Sequence, residues 1–247
     1  MGKKRRWIGK IIILFFILLL SMACVAIVGT DYFQIQYIEV HGNNEISEEE
    51  IVKLSGILKG DNILKLNKNL VKKRLENNPY IEVKKIERSY PNTVHIYILE
   101  RKKGAVIPYL ASNILIDTKG IVLSIESEGS IDDYPVITDL YVKSFVKGKQ
   151  IIAGDDYQFR ALLRVLQSIY DLDLENIVRE IQMKNPDDIY IISNKNIRIK
   201  LGQAIDVDNK LKWLKTEQFK EIEPDLNSEW IFDISIPGKA IFSPTLD

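Results

Sequence analysis

The stretch NPYIEVKKIERSYPNTVHIYILERK, residues 78–102, decides the fold of the first half of the chain. Apolar and polar residues alternate on both sides of Pro91, which is typical of two half-buried strands joined by a turn. The alternation slips by one position at Lys84-Lys85, as a β-bulge requires. The residues of the second strand that are predicted to face the core are Val94, Ile96 and Ile98. The stretch therefore predicts a β-hairpin, and none of its residues forms a pattern typical of catalysis.

The residues before this hairpin predict one further strand and two helices. Residues 33–44, FQIQYIEVHGNN, alternate like a strand and end in a turn. Ser47 followed by Glu50 fits a capping box, which predicts that a helix begins there. Asn67 is predicted to cap a second helix. Together with the hairpin, these elements give the order β-α-α-β-β over residues 33–101.

The N-terminal region contains an uncharged run, IIILFFILLLSMACVAIV, at residues 11–28. At a rise of about 1.5 Å per residue, a helix of this length would span about 27 Å, close to the hydrocarbon thickness of a bilayer. Residues 1–10 are basic, so the positive-inside rule places them in the cytoplasm and the body of the chain outside. A cleaved signal peptide, or a lipoprotein box at residues 21–24, would give the body the same location. The run continues to Val28 without a polar interruption, which favours a single uncleaved transmembrane helix.

Charge is distributed unevenly along the chain. Lys+Arg and Asp+Glu both number 34, but five of the basic residues precede Asp31. Removing those five leaves 29 basic against 34 acidic residues, so the body carries a net charge of −5. Phosphate binding requires a basic face, and this mildly acidic body is therefore not expected to bind nucleic acid.

Residues 102–243 predict a second, strand-rich domain with two helices, followed by a short tail at residues 244–247. One helix follows Asp155 and has a clear apolar face, and the other opens at residues 206–209. The predicted fold class is therefore α+β, with a single N-terminal transmembrane helix, a β-α-α-β-β domain and then a β-domain.

The order of these motifs resembles that of the FtsQ/DivIB family of bacterial cell-division proteins, in which a POTRA domain follows a single transmembrane helix. In the first domain the resemblance rests on Ile38-Glu39-Val40-His41-Gly42-Asn43, Ser47, Glu50-Ile51, Ser55-Gly56-Ile57, Gly60-Asp61-Asn62-Ile63-Leu64, Pro79-Tyr80-Ile81, Arg88, Pro91-Asn92-Thr93-Val94 and Glu100-Arg101. In the second it rests on Leu115-Ile116-Asp117, Gly120, Pro135-Val136-Ile137-Thr138, Leu201-Gly202 and Phe232-Asp233-Ile234. After Glu-Arg the family usually has a proline before alanine, whereas this chain has Lys102-Lys103-Gly104-Ala105, which leaves the local geometry of the junction open.

Candidate catalytic and metal-binding residues are sparse. The spacing of Ser144 and Lys147 matches the Ser-x-x-Lys of penicillin-interacting enzymes, but the sequence contains neither the Ser-Asp-Asn nor the Lys-Thr-Gly element of that chemistry. The chain has one cysteine, Cys24, and two histidines, His41 and His95. No second histidine or cysteine stands near His95 in the sequence, so no metal site is predicted. The protein is therefore predicted not to be an enzyme, and to have no catalytic residue, cofactor or small-molecule substrate.

The resemblance implies a bitopic scaffold of the bacterial division machinery. It would lie in the cell membrane at the division septum and bind FtsL-type and DivIC/FtsB-type division proteins, which are small single-span proteins with coiled coils. Through them it would be linked to septal peptidoglycan synthesis. Two alternatives stay open, namely a POTRA-bearing component of protein translocation and a cell-wall hydrolase.

In that family the far C-terminal part of the β-domain carries the partner interaction. Here this part consists of WIFDISI (230–236) and AIFS (240–243), joined across Pro237-Gly238 in a pattern typical of a type II turn. A strand at the edge of a sheet can bind an extended partner segment by strand addition. The residues predicted to bind the partner are Trp230, Ile231, Asp233, Ser235, Lys239 and Ile241. Phe232 and Ile234 alternate with this set and are predicted to close the core.

Overall fold

The computed structural model describes residues 7, 10, 12–22, 31–127, 134–222 and 230–244. The chain divides into two compact units, of which the first ends at Glu100 and the second begins at Arg101. Each unit combines helices with a β-sheet. The α+β part of the predicted fold class is therefore confirmed.

The transmembrane part of the predicted fold class is wrong. Residues 7, 10 and 12–22 are helical. Within the part of the chain that the structure describes, no helix is both long and apolar enough to cross a membrane. Residues 11 and 23–28 of the predicted span lie outside the described residues. The predicted placement of residues 1–10 in the cytoplasm and of the body outside depended on that helix and stays a prediction.

The first unit has the predicted β-α-α-β-β order. Its elements are β1 (Tyr37–His41), α1 (Glu48–Ser55), α2 (Lys68–Leu75), β2 (Ile81–Ser89) and β3 (Thr93–Glu100), with 3-10 helices at Asp31–Phe33 and Ile63–Lys65. The first strand is shorter than the predicted residues 33–44. Gln34 lies before β1 and forms only an isolated bridge with Asn62.

Both helices of the first unit begin at the predicted caps. The Ser47 hydroxyl accepts a hydrogen bond from the amide of Glu50 over 3.2 Å, and Asn67 Oδ1 accepts from the amide of Leu70 over 3.1 Å. Such caps satisfy amides that have no partner within the helix. At its other end α1 stops at Gly56, which has a φ of +64° in the left-handed region. Local sequence chemistry therefore fixes where these helices begin and where α1 ends.

The three strands of the first unit form a sheet in the order β1-β3-β2. β3 is parallel to β1 and antiparallel to β2, and the register of β2 shifts between Val83 and Lys85, which confirms the predicted bulge. The residues of β3 that are predicted to face the core, Val94, Ile96 and Ile98, are 0%, 0% and 5% exposed. The helices cover this face, while the alternate residues of β1 and β3 lie on the opposite, open face of the sheet.

The carboxylate of Glu100 holds the loop between β1 and α1. It accepts hydrogen bonds from the amides of Asn44 (2.6 Å), Glu45 (2.9 Å) and Ile46 (3.0 Å). Partial burial raises the pKa of Glu100, but the hydrogen bonds from the three amides together lower it by more than burial raises it. The pKa of Glu100 therefore lies below its ordinary value of 4.5. The last residue of β3 thereby fixes the approach to α1.

Glu100→Gln is expected to lower the free energy of unfolding of the first unit by about 1–2 kcal/mol at neutral pH, because the acceptor group loses its charge and one of the three amides loses its acceptor oxygen. The folded-state pKa of Glu100 lies below the unfolded value, so its contribution is present above pH 4.5 and is lost as the pH falls through the folded pKa. Denaturant unfolding of the full chain at neutral and acidic pH measures this. Glu45→Gln removes a carboxylate from the same loop and is the control. An equal pH dependence in wild type and Glu100→Gln would contradict the assignment.

The second unit is strand-rich and contains three α-helices in its described residues. Its strands are β4 (Ala105–Tyr109), β5 (Ser112–Ile116), β6 (Val122–Ser127), β7 (Val136–Thr138), β8 (Val142–Ser144), β9 (Ile152–Ala153), β10 (Val178–Gln182), β11 (Ile189–Ser193), β12 (Arg198–Gly202), β13 (Trp230–Asp233) and β14 (Ile241–Pro244). Its helices are α3 (Asp156–Asp171), α4 (Val207–Leu211) and α5 (Glu217–Lys220), with a 3-10 helix at Lys212–Lys215.

The second of the two helices predicted for this unit is broken into separate pieces. After α4 and the 3-10 helix, Thr216 adopts an extended conformation, and its side chain accepts a hydrogen bond from the amide of Phe219. Thr216 therefore ends one helical segment and caps the next. The first predicted helix is continuous, and Asp155 caps it by accepting from the amides of Tyr157 and Gln158.

Among the second unit's residues that the structure describes, nine strands form one sheet in the order β14-β13-β12-β11-β10-β7-β4-β5-β6. β7 has only three residues and is parallel to both of its neighbours, β10 and β4. On either side of it, neighbouring strands pair antiparallel, except that β13 is parallel to β12. Helix α3 contributes several fully buried side chains to the core of this unit, including Leu162, Val165 and Leu166.

A buried ion pair lies at the start of the second unit. Arg101 Nη1 is 2.9 Å from Asp117 Oδ2, and the two side chains are 15% and 5% exposed. The other oxygen of Asp117 accepts hydrogen bonds from the amides of Lys119 and Ile121. Asp117 therefore closes the turn that follows β5, and Arg101 neutralises the charge of the Asp117 carboxylate.

Candidate partner-binding edge

The predicted binding segment forms the last hairpin of the nine-stranded sheet. β13 lies between β12 and β14, parallel to the first and antiparallel to the second. β14 ends the strand order, and no other strand in the described residues pairs with its outer side. Alternate amide and carbonyl groups of such a strand point away from the sheet, where an added strand can bind. This hairpin therefore has the backbone geometry that strand addition requires.

The hairpin has two faces, and the predicted residues are divided between them. Phe232 and Ile234 face the core and are 4% and 0% exposed, as predicted. Ile231 and Asp233 lie on the opposite face, where Asp233 is paired across the hairpin with Ile241. This outer face brings together three of the predicted binding residues, namely Ile231, Asp233 and Ile241.

Trp230 lies on the other face from that set. Strand alternation places it on the same side as Phe232, and its ring stacks on Phe242 with the centroids 4.8 Å apart. The Phe242 ring is 6.5 Å from that of Phe232, and its side chain remains 41% exposed. Trp230 and Phe242 therefore form an aromatic rim where the core meets solvent. The prediction missed Phe242, although its alternation with Ile241 in the last strand was visible in the sequence.

Lys239 belongs to the turn between the two strands. Its amide donates to the carbonyl of Ile236 over 3.1 Å, and Gly238 has a φ of +75°. Both features agree with the predicted type II turn, in which the third residue needs a positive φ. Lys239 is exposed and belongs to neither strand of the hairpin.

Ser235 follows β13 and has local contacts. Its amide donates to Asp233 Oδ1 over 2.8 Å, which fixes the end of the strand. Its side chain also faces Gly202, where an added Cβ would lie 2.9 Å from the Ser235 Cβ and where φ is +69°. Gly202 is therefore needed for the close approach of β12 to the residues after β13, and Ser235 has a structural role at this position.

Two cations extend the outer face beyond the hairpin, and the prediction missed both. Across β12 and β13, the residues in register are Arg198 with Ile231 and Lys200 with Asp233. Lys200 Nζ is 3.5 Å from Asp188 Oδ1, and this carboxylate raises the pKa of Lys200. The ammonium group is thus charged at neutral pH. Residues 197–202, IRIKLG, alternate in the sequence, so placing both cations on one face was possible without the structure.

Two grooves flank the turn. One, of about 500 Å³, is lined in part by Trp213, Thr216 and Pro237. The other, of about 430 Å³, includes Lys210, which is 2% exposed. Lys210 Nζ donates to the carbonyls of Leu201 (3.2 Å) and Gln203 (2.8 Å), and burial lowers its pKa. The ammonium group therefore ties α4 to the end of β12 beneath the hairpin, which is a structural task.

Comparison with protein families identifies both units. Residues 33–101 match the family described as "POTRA domain, FtsQ-type", and residues 105–236 match "Cell division protein FtsQ/DivIB, C-terminal". The second match by itself extends over more than half of the chain. The two matches follow the division of the structure into its two units.

Individual relatives agree with these matches. The chain is 29% identical to the cell division protein DivIB of Clostridium botulinum (strain Loch Maree / Type A3), covering 97% of this chain and 93% of that protein. It is 30% identical to the DivIB of Clostridium tetani (strain Massachusetts / E88), covering 80% and 74% of the two chains. A solved structure of the major extracytoplasmic domain of DivIB from Geobacillus stearothermophilus covers 46% of this chain and 87% of that one, at 13% identity and a TM-score of 0.32, too slight a likeness to bear on the fold. On the family matches and these two sequence relatives, the chain belongs to the FtsQ/DivIB family of bacterial cell-division proteins.

Proposed function

We propose that this protein is a scaffold of the division machinery that binds other division proteins and links them to septal peptidoglycan synthesis. Membership of the FtsQ/DivIB family supports a role in cell division. The partners proposed are the FtsL-type and DivIC/FtsB-type proteins, and the place is the division septum. The mechanism is binding without catalysis. The observation that carries the proposal is the edge of β14 at the end of the sheet, where no further strand of the described residues pairs.

The edge of β14 suits an extended partner segment. A strand added there would form main-chain hydrogen bonds with β14, and its side chains would lie alternately on the two faces of the sheet. On the outer face its nearest neighbour would be Ile241, which is 42% exposed, and on the other face Phe242, which is 41% exposed. Partially exposed apolar side chains on both faces favour a partner strand with apolar residues at successive positions.

Charge adds a second element of recognition. The outer face carries Arg198 and Lys200 two strands away from the edge, while Asp233 lies between them and Ile241. A partner segment that binds at Ile241 and continues across the outer face would therefore reach Arg198 and Lys200. Acidic residues next to the apolar segment of the partner would therefore strengthen the encounter, with a salt dependence typical of exposed charges.

Ile241→Lys is expected to weaken partner binding by about ten- to thirtyfold. This corresponds to a loss of about 1.4–2 kcal/mol in binding free energy, as is typical of an important interface residue. The new ammonium group would face Asp233 across the hairpin, so the fold is retained, but the added strand would meet a charge. The measurement is calorimetric titration of the full chain with the soluble segments of FtsL-type and DivIC-type partners. In dividing cells, a fluorescent fusion of the wild-type chain should also gather at the septum more strongly than the variant.

Ile125→Lys provides the matched control. Ile125 is 47% exposed on β6, the strand at the other end of the same sheet, so the chemical change is identical and only the edge differs. The proposal requires wild-type affinity for Ile125→Lys. Equal affinities for wild type and a folded Ile241→Lys would remove β14 from the binding site, and a failure of wild type to bind either partner would reject the partners themselves.

A further inference from the structure

The open face of the sheet in the first unit brings together the two histidines of the chain. β1 and β3 are parallel, and their register pairs Glu39 with His95 and His41 with Tyr97. Glu39 and His41 are two positions apart on β1, so both side chains lie on the same face as His95. Nothing near His95 in the sequence suggested a second ligand, because His41 is 54 residues away. The parallel strand pairing removes that separation.

We propose that Glu39, His41 and His95 bind one divalent transition-metal ion, with Zn²⁺ as the ion that suits the site best. The three side chains supply two imidazole nitrogens and one carboxylate oxygen, and these ligand atoms all lie within 4.8 Å of one another. Two histidines with one carboxylate form a ligand set that zinc uses in proteins. Imidazole also suits copper and nickel, whereas calcium and magnesium prefer oxygen ligands alone.

The distances between the ligand atoms are close to those that a tetrahedral ion imposes. His95 Nδ1 is 3.1 Å from Glu39 Oε2, His41 Nε2 is 3.5 Å from His95 Nδ1, and His41 Nε2 is 3.9 Å from Glu39 Oε2. Bond lengths of about 2.0–2.2 Å to zinc place two tetrahedral ligands roughly 3.3–3.6 Å apart. Shifts of a few tenths of an ångström by exposed side chains are enough to reach this geometry. The three atoms therefore surround a point that an ion can occupy.

The orientation of the two rings supports the same geometry. The ring centroids of His41 and His95 are 5.7 Å apart, whereas the two nitrogens are only 3.5 Å apart, so these nitrogens face each other. Tyr97 stacks on His41 with a centroid distance of 4.7 Å and an interplanar angle of 21°. This contact restricts the His41 ring from one side. A ligand that is already oriented loses less entropy when it binds an ion.

The site leaves one coordination position open. Three protein atoms fill three of the four positions around a tetrahedral ion, and the side chains of Glu39 and His41 are 52% and 44% exposed. The fourth ligand would be water or a donor atom from another molecule. An ion held here would link β1 to β3, and so bridge strands that are otherwise joined by main-chain hydrogen bonds and packing.

Zinc titration of the full chain tests the proposal. The protein is stripped of metal with a chelator, kept in mild detergent because of its apolar N-terminal run, and titrated with zinc chloride in a calorimeter. We expect saturation at one zinc per chain and a zinc-dependent rise in the thermal midpoint of the first unit. His41→Gln and His95→Gln should each weaken binding by about tenfold or more, since even residues that only support metal ligands typically contribute ten- to hundredfold.

Glu49→Gln is the control, because it removes a carboxylate from helix α1 on the opposite side of the sheet. It should bind zinc like wild type, and circular dichroism should show all variants to be folded. The alternative is a cluster held only by hydrogen bonds between the histidines and Glu39. Absence of saturable binding, or equal binding by wild type and both histidine variants, would overturn the metal site in favour of that cluster.

Discussion

Gly42→Ala is expected to lower the free energy of unfolding of the first unit by about 3 kcal/mol or more, an effect at the upper end for single substitutions. Gly42 has a φ of +89°, and a Cβ added to it would lie 2.2 Å from the carbonyl oxygen of Ile98 and 3.2 Å from its carbon. Ile98 belongs to β3, the central strand, and its side chain is buried. Ile98 is paired with Val83 of β2, so its carbonyl group cannot move away without disturbing the pairing of β3.

Gly60→Ala separates this clash from the cost of a positive φ. Gly60 lies in the same unit with a φ of +96°, but an added Cβ would have no atom within 4 Å. The expected cost is only about 1–2 kcal/mol, that of the left-handed conformation for alanine. Amide hydrogen exchange of the full chain, read separately for peptides of β3 and of the second unit, measures both effects. Equal losses in the two variants would show that the contact with Ile98 is relieved by movement of the backbone.

Arg101→Met is expected to destabilise the second unit by about 3 kcal/mol, because it leaves the buried carboxylate of Asp117 without a counter-charge. The amides of Lys119 and Ile121 still donate to Asp117 in this variant, so the carboxylate retains part of its stabilisation. Methionine keeps most of the apolar stem of the arginine, and the loss therefore reports mainly on charge. Denaturant unfolding followed by the fluorescence of Trp213 and Trp230 measures it.

The exposed ion pair between Glu217 and Lys220 provides the comparison. These side chains are 77% and 55% exposed, so Lys220→Met is expected to change the unfolding free energy by less than about 1 kcal/mol. The double variant Arg101→Met with Asp117→Asn removes both buried charges and should regain part of the stability lost by Arg101→Met. A loss for Arg101→Met as small as that for Lys220→Met would mean that water reaches Asp117 and screens it.

Local chemistry explains most of what the sequence predicted correctly. Ser47, Asn67 and Asp155 each cap a helix at the predicted position, because the capping hydrogen bond joins residues only two or three apart. The bulge in β2 and the burial of Phe232 and Ile234 likewise follow from alternation within one strand. Such features depend on neighbours along the chain, and a single sequence contains that information.

Contacts between distant residues account for what the sequence did not reveal. The parallel pairing of β1 with β3 brings His41 beside His95, and no periodicity within either strand encodes that partner. Trp230 is among the residues predicted to bind the partner, but strand alternation puts it on the side of Phe232. The apolar run at residues 11–28 predicts a transmembrane helix by composition, whereas no helix in the described residues is long and apolar enough to cross a membrane.

The shortest strand of the large sheet, β7, divides that sheet into two groups of strands. β4, β5 and β6 form an antiparallel meander on one side, and the strands from β10 to β14 lie on the other side, where β13 is parallel to β12. Val136, Ile137 and Thr138 join them, with three residue pairs toward β10 and one toward β4. An opening of the sheet at β7 breaks no antiparallel pair and leaves each group of strands whole. The strand edge at β14 and the meander β4–β6 are therefore connected within the sheet through the three residues of β7, which form the shortest stretch of strand pairing between them.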